Sequence, residues 1–278
     1  MTAPAPQPGT PDVVLIHGLW MTPRSWEQWI DRYQSRGHTV HAPAWPGMDA
    51  EVEQLNRDPS PMKGLGITRI VDHYDTIIRG LDSPPIIMGH SIGGTVLQLL
   101  LDRGLGRAGV GIAPGTVKGV PDLPLSTLRS AFPVLGNPFN RGKATGLTAK
   151  QFHYAFCNTM SREESDKVYE RNHIPAANRA LFDVGFATFT RNGPTTVDFT
   201  RDDRAPMLSI AFEDDHIVPP KAARHNVEKY AKSKAITAFK EFPGRPHFPG
   251  APGWEEVADH ALDWATGPRA EPAEQSAP

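Results

Sequence analysis

The sequence predicts an α/β protein: a mostly parallel central sheet with helices on both faces, and a mainly helical block inserted between two core strands. Three observations carry this expectation. Short apolar runs rich in β-branched residues alternate with amphipathic stretches, the pattern of a parallel sheet covered on both sides. The alternation stops over residues 116–204 and then resumes. A chain of 278 residues is long enough for one large domain carrying such an insertion.

The elements follow in order. The run 12-DVVLIHG-18 reads as a buried strand closed by glycine. In 23-PRSWEQWIDRYQSRG-37 the apolar residues Trp26, Trp29, Ile30 and Tyr33 have helical spacing, with Pro23 and Ser25 as start signals and Gly37 as a stop. A second strand is expected over 38–45 and a long loop over 46–66. Over 67–81, Ile67, Ile70, Val71, Tyr74, Ile77, Ile78 and Leu81 fall on one helical face. Strand 85–89, helix 92–104 and strand 108–114 repeat the pattern. The block that follows is rich in aromatics, with helices expected over 148–160 and 161–171. Alternation returns with strand 206–212, helix 219–231, strand 235–242 and helix 253–265. The expected organisation is a disordered tail over 1–10, core over 11–115, a cap over 116–204, core again over 205–266, and a second Pro/Ala-rich tail over 267–278.

The totals narrow the class. A net charge of −2 gives no support for nucleic acid or an acidic membrane surface as partner. Cys157 is the single cysteine, so no internal disulfide can form, which fits a reducing compartment. The N-terminus lacks the basic start and apolar core of a secretory signal. No apolar run approaches the ~20 residues of a membrane span. A cytoplasmic protein acting on a small molecule is expected.

The chemistry is expected at 89-GHSIGG-94, where a serine stands between glycines after a strand and before a helix. This G-x-S-x-G context describes a sharp turn that presents a hydroxyl at the C-terminal edge of the sheet, where open α/β folds bind ligands. The bland alternative is a helix N-cap serine, which needs no such glycine framing. A serine hydroxyl is a weak nucleophile until a base takes its proton, and the base needs a third group to fix its tautomer. Strand ends further along offer both, in 213-EDDHIVPP-220 and 243-PGRPHF-248. The order Ser91, Asp215, His247 then suits acyl transfer. Glu213 and Asp214 stand close enough to compete for the acid's place.

With 14-VLIHG-18, 89-GHSIGG-94, 215-DHIVP-219 and 245-RPHF-248, the chain resembles the α/β-hydrolase family across almost all of residues 12–266. The resemblance implies that the acid is Asp215, four residues before the proline of its D-x-[IV]-V-P segment. It implies an oxyanion hole from the backbone N–H groups of Leu19 and Ile92. His17 then serves structurally, and His90 lies in the elbow against neighbouring strands or at the pocket. Trp20 is expected to line the pocket, with core packing as the alternative. Relatives that attack an sp3 carbon use aspartate, so Ser91 points to a carbonyl substrate. That means a carboxylic ester, or else a carbon–carbon bond hydrolase, lactonase or perhydrolase reaction with the same triad. A receptor-like binding protein is the competing class.

His216, His225 and His260, near turns or on helix faces, are expected to be solvated, as are Asp122, His153 and His173, with contact to substrate as the alternative for these last three. No pair of histidines with a nearby carboxylate has convincing metal-ligand spacing, so no metal is expected, and the serine mechanism calls for no cofactor. Phe132, Phe139, Phe152, Tyr154, Phe156, Phe182, Phe186 and Phe189 of the inserted block are expected mostly to form its own core, with a few facing a partly apolar, ester-like substrate. Cys157 is expected to be a buried structural residue.

Overall fold

The computed structural model describes residues 9–122 and 124–267. The expected tails lie outside these residues, apart from Gly9, Thr10 and Gly267. In chain order the elements are β1 (Val13–Ile16), α1 (Glu27–Ser35), β2 (Val40–His41), α2 (Val52–Arg57), α3 (Ile67–Arg79), β3 (Ile86–His90), α4 (Ile92–Asp102) and β4 (Ala108–Ile112). The inserted block holds α5 (Leu125–Leu135), β5 (Ala144–Thr145), α6 (Ala149–Phe156), α7 (Arg162–Asn172), β6 (Ala176–Ala177) and α8 (Asn178–Gly185). Then come β7 (Met207–Phe212), α9 (Pro220–Lys229), β8 (Thr237–Phe242) and α10 (Trp254–Thr266).

Six strands form one sheet in the order β2-β1-β3-β4-β7-β8. All its pairings are parallel, with Val13 opposite Ile86, Ile86 opposite Ala108, and Met207 opposite Thr237. Side chains alternate between two apolar layers, as the strand period requires. Val14, Ile16 and Ile87 pack with α3 and α4 on one face. Val13, Leu15, Ile86 and Met88 pack on the other face with Trp26, with Trp29 and Tyr33 of α1, and with Val257, Ala261 and Leu262 of α10. Because every strand runs the same way, the loops after β1, β3, β4, β7 and β8 gather at one edge. That common edge positions the site.

Four expectations change. The second strand shortens to two residues, since Pro43 and Pro46 cannot donate to a ladder. The loop 46–66 contains α2, held down by buried Val52 and Leu55. Residues 125–135, outside the helices expected in the block, form α5 with Pro133 inside it. Finally, the inserted block has no separate core. Its buried Phe152, Phe156 and Phe182 join the same apolar layer as α3 and α4, while Phe132, Phe139, Phe186 and Phe189 are exposed.

Candidate active site

The site begins with backbone strain. Ser91 follows β3 with φ 54° and ψ −124°, a region that costs a non-glycine residue about 1–3 kcal/mol. The surrounding chain leaves no room for a gentler turn. A Cβ on Gly89 would lie 2.1 Å from the carbonyl oxygen of Gly93, and one on Gly93 would lie 2.3 Å from that of Ile16. The two glycines therefore let α4 start against β1 and β3. The Ser91 carbonyl is tied down by the amides of Gly94 (2.8 Å) and Gly115 (2.7 Å). Gln98, buried in α4, donates to the carbonyls of Gly94 and Gly115, and its own oxygen accepts from Asn226 and Tyr230. No motif marks Gln98 in the sequence. Its signal was one amide within the apolar run 95-TVLQLLL-101.

Asp215 and His247 come together from the loops after β7 and β8. His247 Nδ1 donates to Asp215 Oδ2 at 2.6 Å, and both side chains are fully buried. Asp215 Oδ1 accepts from the amides of Ile217 (2.7 Å) and Val218 (2.8 Å), so both oxygens are fixed. Glu213 and Asp214 point to the surface. Glu213 accepts from the Gly244 amide, while the Asp214 carbonyl accepts from Asn158. With Nδ1 donating, His247 carries its lone pair on Nε2. Among the described residues that buried nitrogen has no hydrogen-bond partner, and no bond joins it to Ser91 Oγ.

The other histidines sort by contact. His17 donates from Nδ1 to Gly18, accepts the Trp45 amide at Nε2 and stacks on the Trp45 ring. Burial pushes its pKa down to about 4. His90 lies outside the cavity, which corrects the pocket expectation. Strand alternation turns its ring under the edge, where Nε2 donates to the His247 carbonyl at 2.9 Å and Trp26 packs edge-on. Burial, and then the neighbouring His247, push the pKa of His90 well down.

The histidines expected in solvent are held by the protein instead. His173 is buried, accepts the Leu147 amide and is pushed down to about 4 by burial. His216 bonds the Tyr154 carbonyl, His225 bonds Asp122, and His260 packs edge-on against Phe242. The Nδ1 of half-buried His153 has no partner among the described residues. Cys157 is buried, and burial pushes its thiol up to about 12.

A cavity of about 430 Å³ opens above Ser91. Leu19, Trp20, Ser91 and Ile92 form its floor, residues 115–122 one wall, and α5, α8 and the turn to Phe189 the roof. Trp20 thus lines it, with φ 62° and its ring N–H bonded to the Thr145 carbonyl. The amides of Leu19 and Ile92 donate no hydrogen bond to the described residues. Leu128, Phe132 and Leu135 line the roof at helical spacing, a stripe legible in 125-LSTLRSAFPVL-135 had a helix been read there. Among the described residues no group of three His, Cys, Asp or Glu could hold a metal, and no helix is long and apolar enough to cross a membrane.

Known proteins agree with this architecture. The profile of the alpha/beta hydrolase family matches residues 13–260. No curated protein matches by sequence. Among solved structures, an extracellular alpha/beta-hydrolase from a Paenibacillus species superposes with a TM-score of 0.66 at 19% identity, covering 91% of this chain and 98% of that one. A pyrethroid hydrolase from Sphingobium faniae JZ-2 gives 0.64 at 18%, covering 93% and 98%. A monoacylglycerol lipase from Paleococcus ferrophilus gives 0.62 at 23%, covering 92% and 95%. At these identities the likeness is one of fold.

Proposed function

The chain belongs to the alpha/beta hydrolase family, and from that premise we propose that it is a cofactor-free serine hydrolase of carboxylic esters. The observation that carries this reading is the buried His247–Asp215 pair with Nε2 left unpartnered. A buried acceptor without a partner costs about 1–3 kcal/mol, so such an atom calls for an explanation. A reacting hydroxyl supplies one. The bond from Ser91 Oγ then forms in the substrate complex, since catalytic hydrogen bonds often tighten only there.

In this reading His247 Nε2 takes the Ser91 proton as Oγ attacks the ester carbonyl. Asp215 holds the imidazole in its tautomer and balances the charge it gains. The Leu19 and Ile92 amides receive the oxyanion, each worth about 3 kcal/mol to the transition state. Nε2 then protonates the leaving alcohol, and water, activated by the same nitrogen, releases the acid. The substrate class follows from the walls. They are mostly aliphatic and aromatic, and 430 Å³ suits a small ester with an apolar acyl or alcohol part. Residues 116–204 act as a lid in this scheme, because α5 and α8 roof the cavity. The solved relatives with esterase and lipase activity in their descriptions support the same reaction type.

The test is mass spectrometry after exposure to a fluorophosphonate. A single adduct on the peptide carrying Ser91 is expected. An unlabelled Ser91, in folded protein that hydrolyses no p-nitrophenyl ester, overturns the reading.

A further inference from the structure

The cavity carries a charged feature that acyl transfer does not use. Among its described lining residues Asp122 is the single ionisable side chain. It stands on the segment after β4 that also carries Gly115, the residue binding the Ser91 carbonyl. One carboxylate oxygen, Oδ2, is gripped by His225 Nδ1 of α9. His225 lies one turn beyond Ala222, which lines the same cavity. The other oxygen, Oδ1, accepts no hydrogen bond from the described residues, and the side chain keeps 18% of its exposure.

A carboxylate beside apolar walls is less hydrated than one in open solvent, and the bond to His225 restricts it. A ligand that brings an N–H or O–H to it gains a charge-assisted bond. A ligand that brings only methylenes gains nothing there and displaces water from the charge. We propose that Asp122, held by His225, is a specificity-determining residue that receives a hydrogen-bond donor, a hydroxyl or a protonated amine, on the non-reacting part of the substrate. The inference rests on the cavity being the substrate site, and its test does not depend on turnover.

The test is calorimetric binding to the Ser91→Ala protein of three methyl esters of one six-carbon acid: the plain ester, which carries no N–H or O–H, its ω-hydroxy form and its ω-amino form. The hydroxy and amino esters are expected to bind at least about 10-fold tighter than the plain ester. Asp122→Asn keeps an acceptor without the charge, so the preference for the hydroxy ester survives and that for the amino ester falls. Asp122→Leu abolishes both preferences and leaves the plain ester unchanged. Equal binding of all three ligands overturns the proposal. So does a parallel loss for all three in either variant, with a lowered melting temperature, which would assign Asp122 to the structure alone. If fluorophosphonate fails to label Ser91 while the ligand ranking holds, the subsite stands and the ester-hydrolase reading falls.

Discussion

At the sheet edge a single Cβ cannot be added to Gly89 or Gly93, whereas on the inserted block whole phenylalanine side chains stand in solvent. Phe132 is 70% exposed and Phe189 79%. Ser91, Asp215 and His247 are all buried, with the Ser91 and His247 carbonyls and the Asp215 carboxylate tied by named hydrogen bonds. The roof is different. Phe132, Phe186 and Phe189 both line the cavity and face out of it. One region is over-determined and the other only loosely packed. Under the proposed function the difference separates two tasks, since chemistry needs fixed atoms and substrate choice needs a wall that can vary.

The largest expected effect tests the fixed region. Ser91→Ala is expected to lower kcat for a short p-nitrophenyl ester by at least about 10⁴-fold, as loss of a triad nucleophile does. Its circular dichroism should be unchanged, because only one oxygen is lost. Next comes Gly89→Ala. The added carbon meets backbone rather than a yielding side chain, so a loss of about 3–5 kcal/mol is expected in urea unfolding. A variant as stable as the parent would mean that the elbow can move, and the comparison would lose its rigid half.

Acid tests both regions at once. His17 belongs to the edge and His173 to the inserted block, and burial holds each near 4 instead of the usual 6.5. The unfolded chain therefore binds more protons between those values. Stability is complete above pH ~6.5 and falls as the pH drops towards about 4, by up to about 3 kcal/mol for each histidine. Burial also pushes His90 down, which adds to the same slope, so His173→Gln should remove no more than about a third of it, measured as the urea midpoint at pH 8 and pH 5. Because the block shares its apolar layer with α3 and α4, one transition is expected at both pH values. Two transitions would show that the block unfolds alone.

The same contrast explains what could be read from the sequence. Strand and helix alternation was legible because burial imposes periods of two and 3.6 on the apolar residues. Ser91 was legible because its glycines are demanded by contacts as close as 2.1 Å. Asp215 and His247, 32 residues apart, are legible from strand ends and resemblance, and they meet in the structure. The failures fall where no period or close contact writes itself into the chain. α2 has only two buried side chains. The proline in α5 breaks the usual signal. His90 could be placed in the elbow, but the direction of its ring depends on neighbouring strands. The exposure of Phe132 and Phe189 depends on what the fold leaves uncovered, which composition does not record.

The smallest expected effect lies on that uncovered roof. Phe132→Ser removes a ring that is mostly in solvent, so stability should change by no more than about 0.5 kcal/mol. The ring also lines the cavity, so part of its face is lost to an apolar substrate. A loss of ~1 kcal/mol in uniform binding raises KM by about 5-fold and leaves kcat alone. The measurement is KM and kcat for esters of increasing acyl length, and the rise in KM should grow with chain length. A fall in kcat at constant KM would mean that the roof helps to align the reacting atoms. The proposed division between a fixed edge that does the chemistry and a variable wall that chooses the substrate would then have to be redrawn through α5.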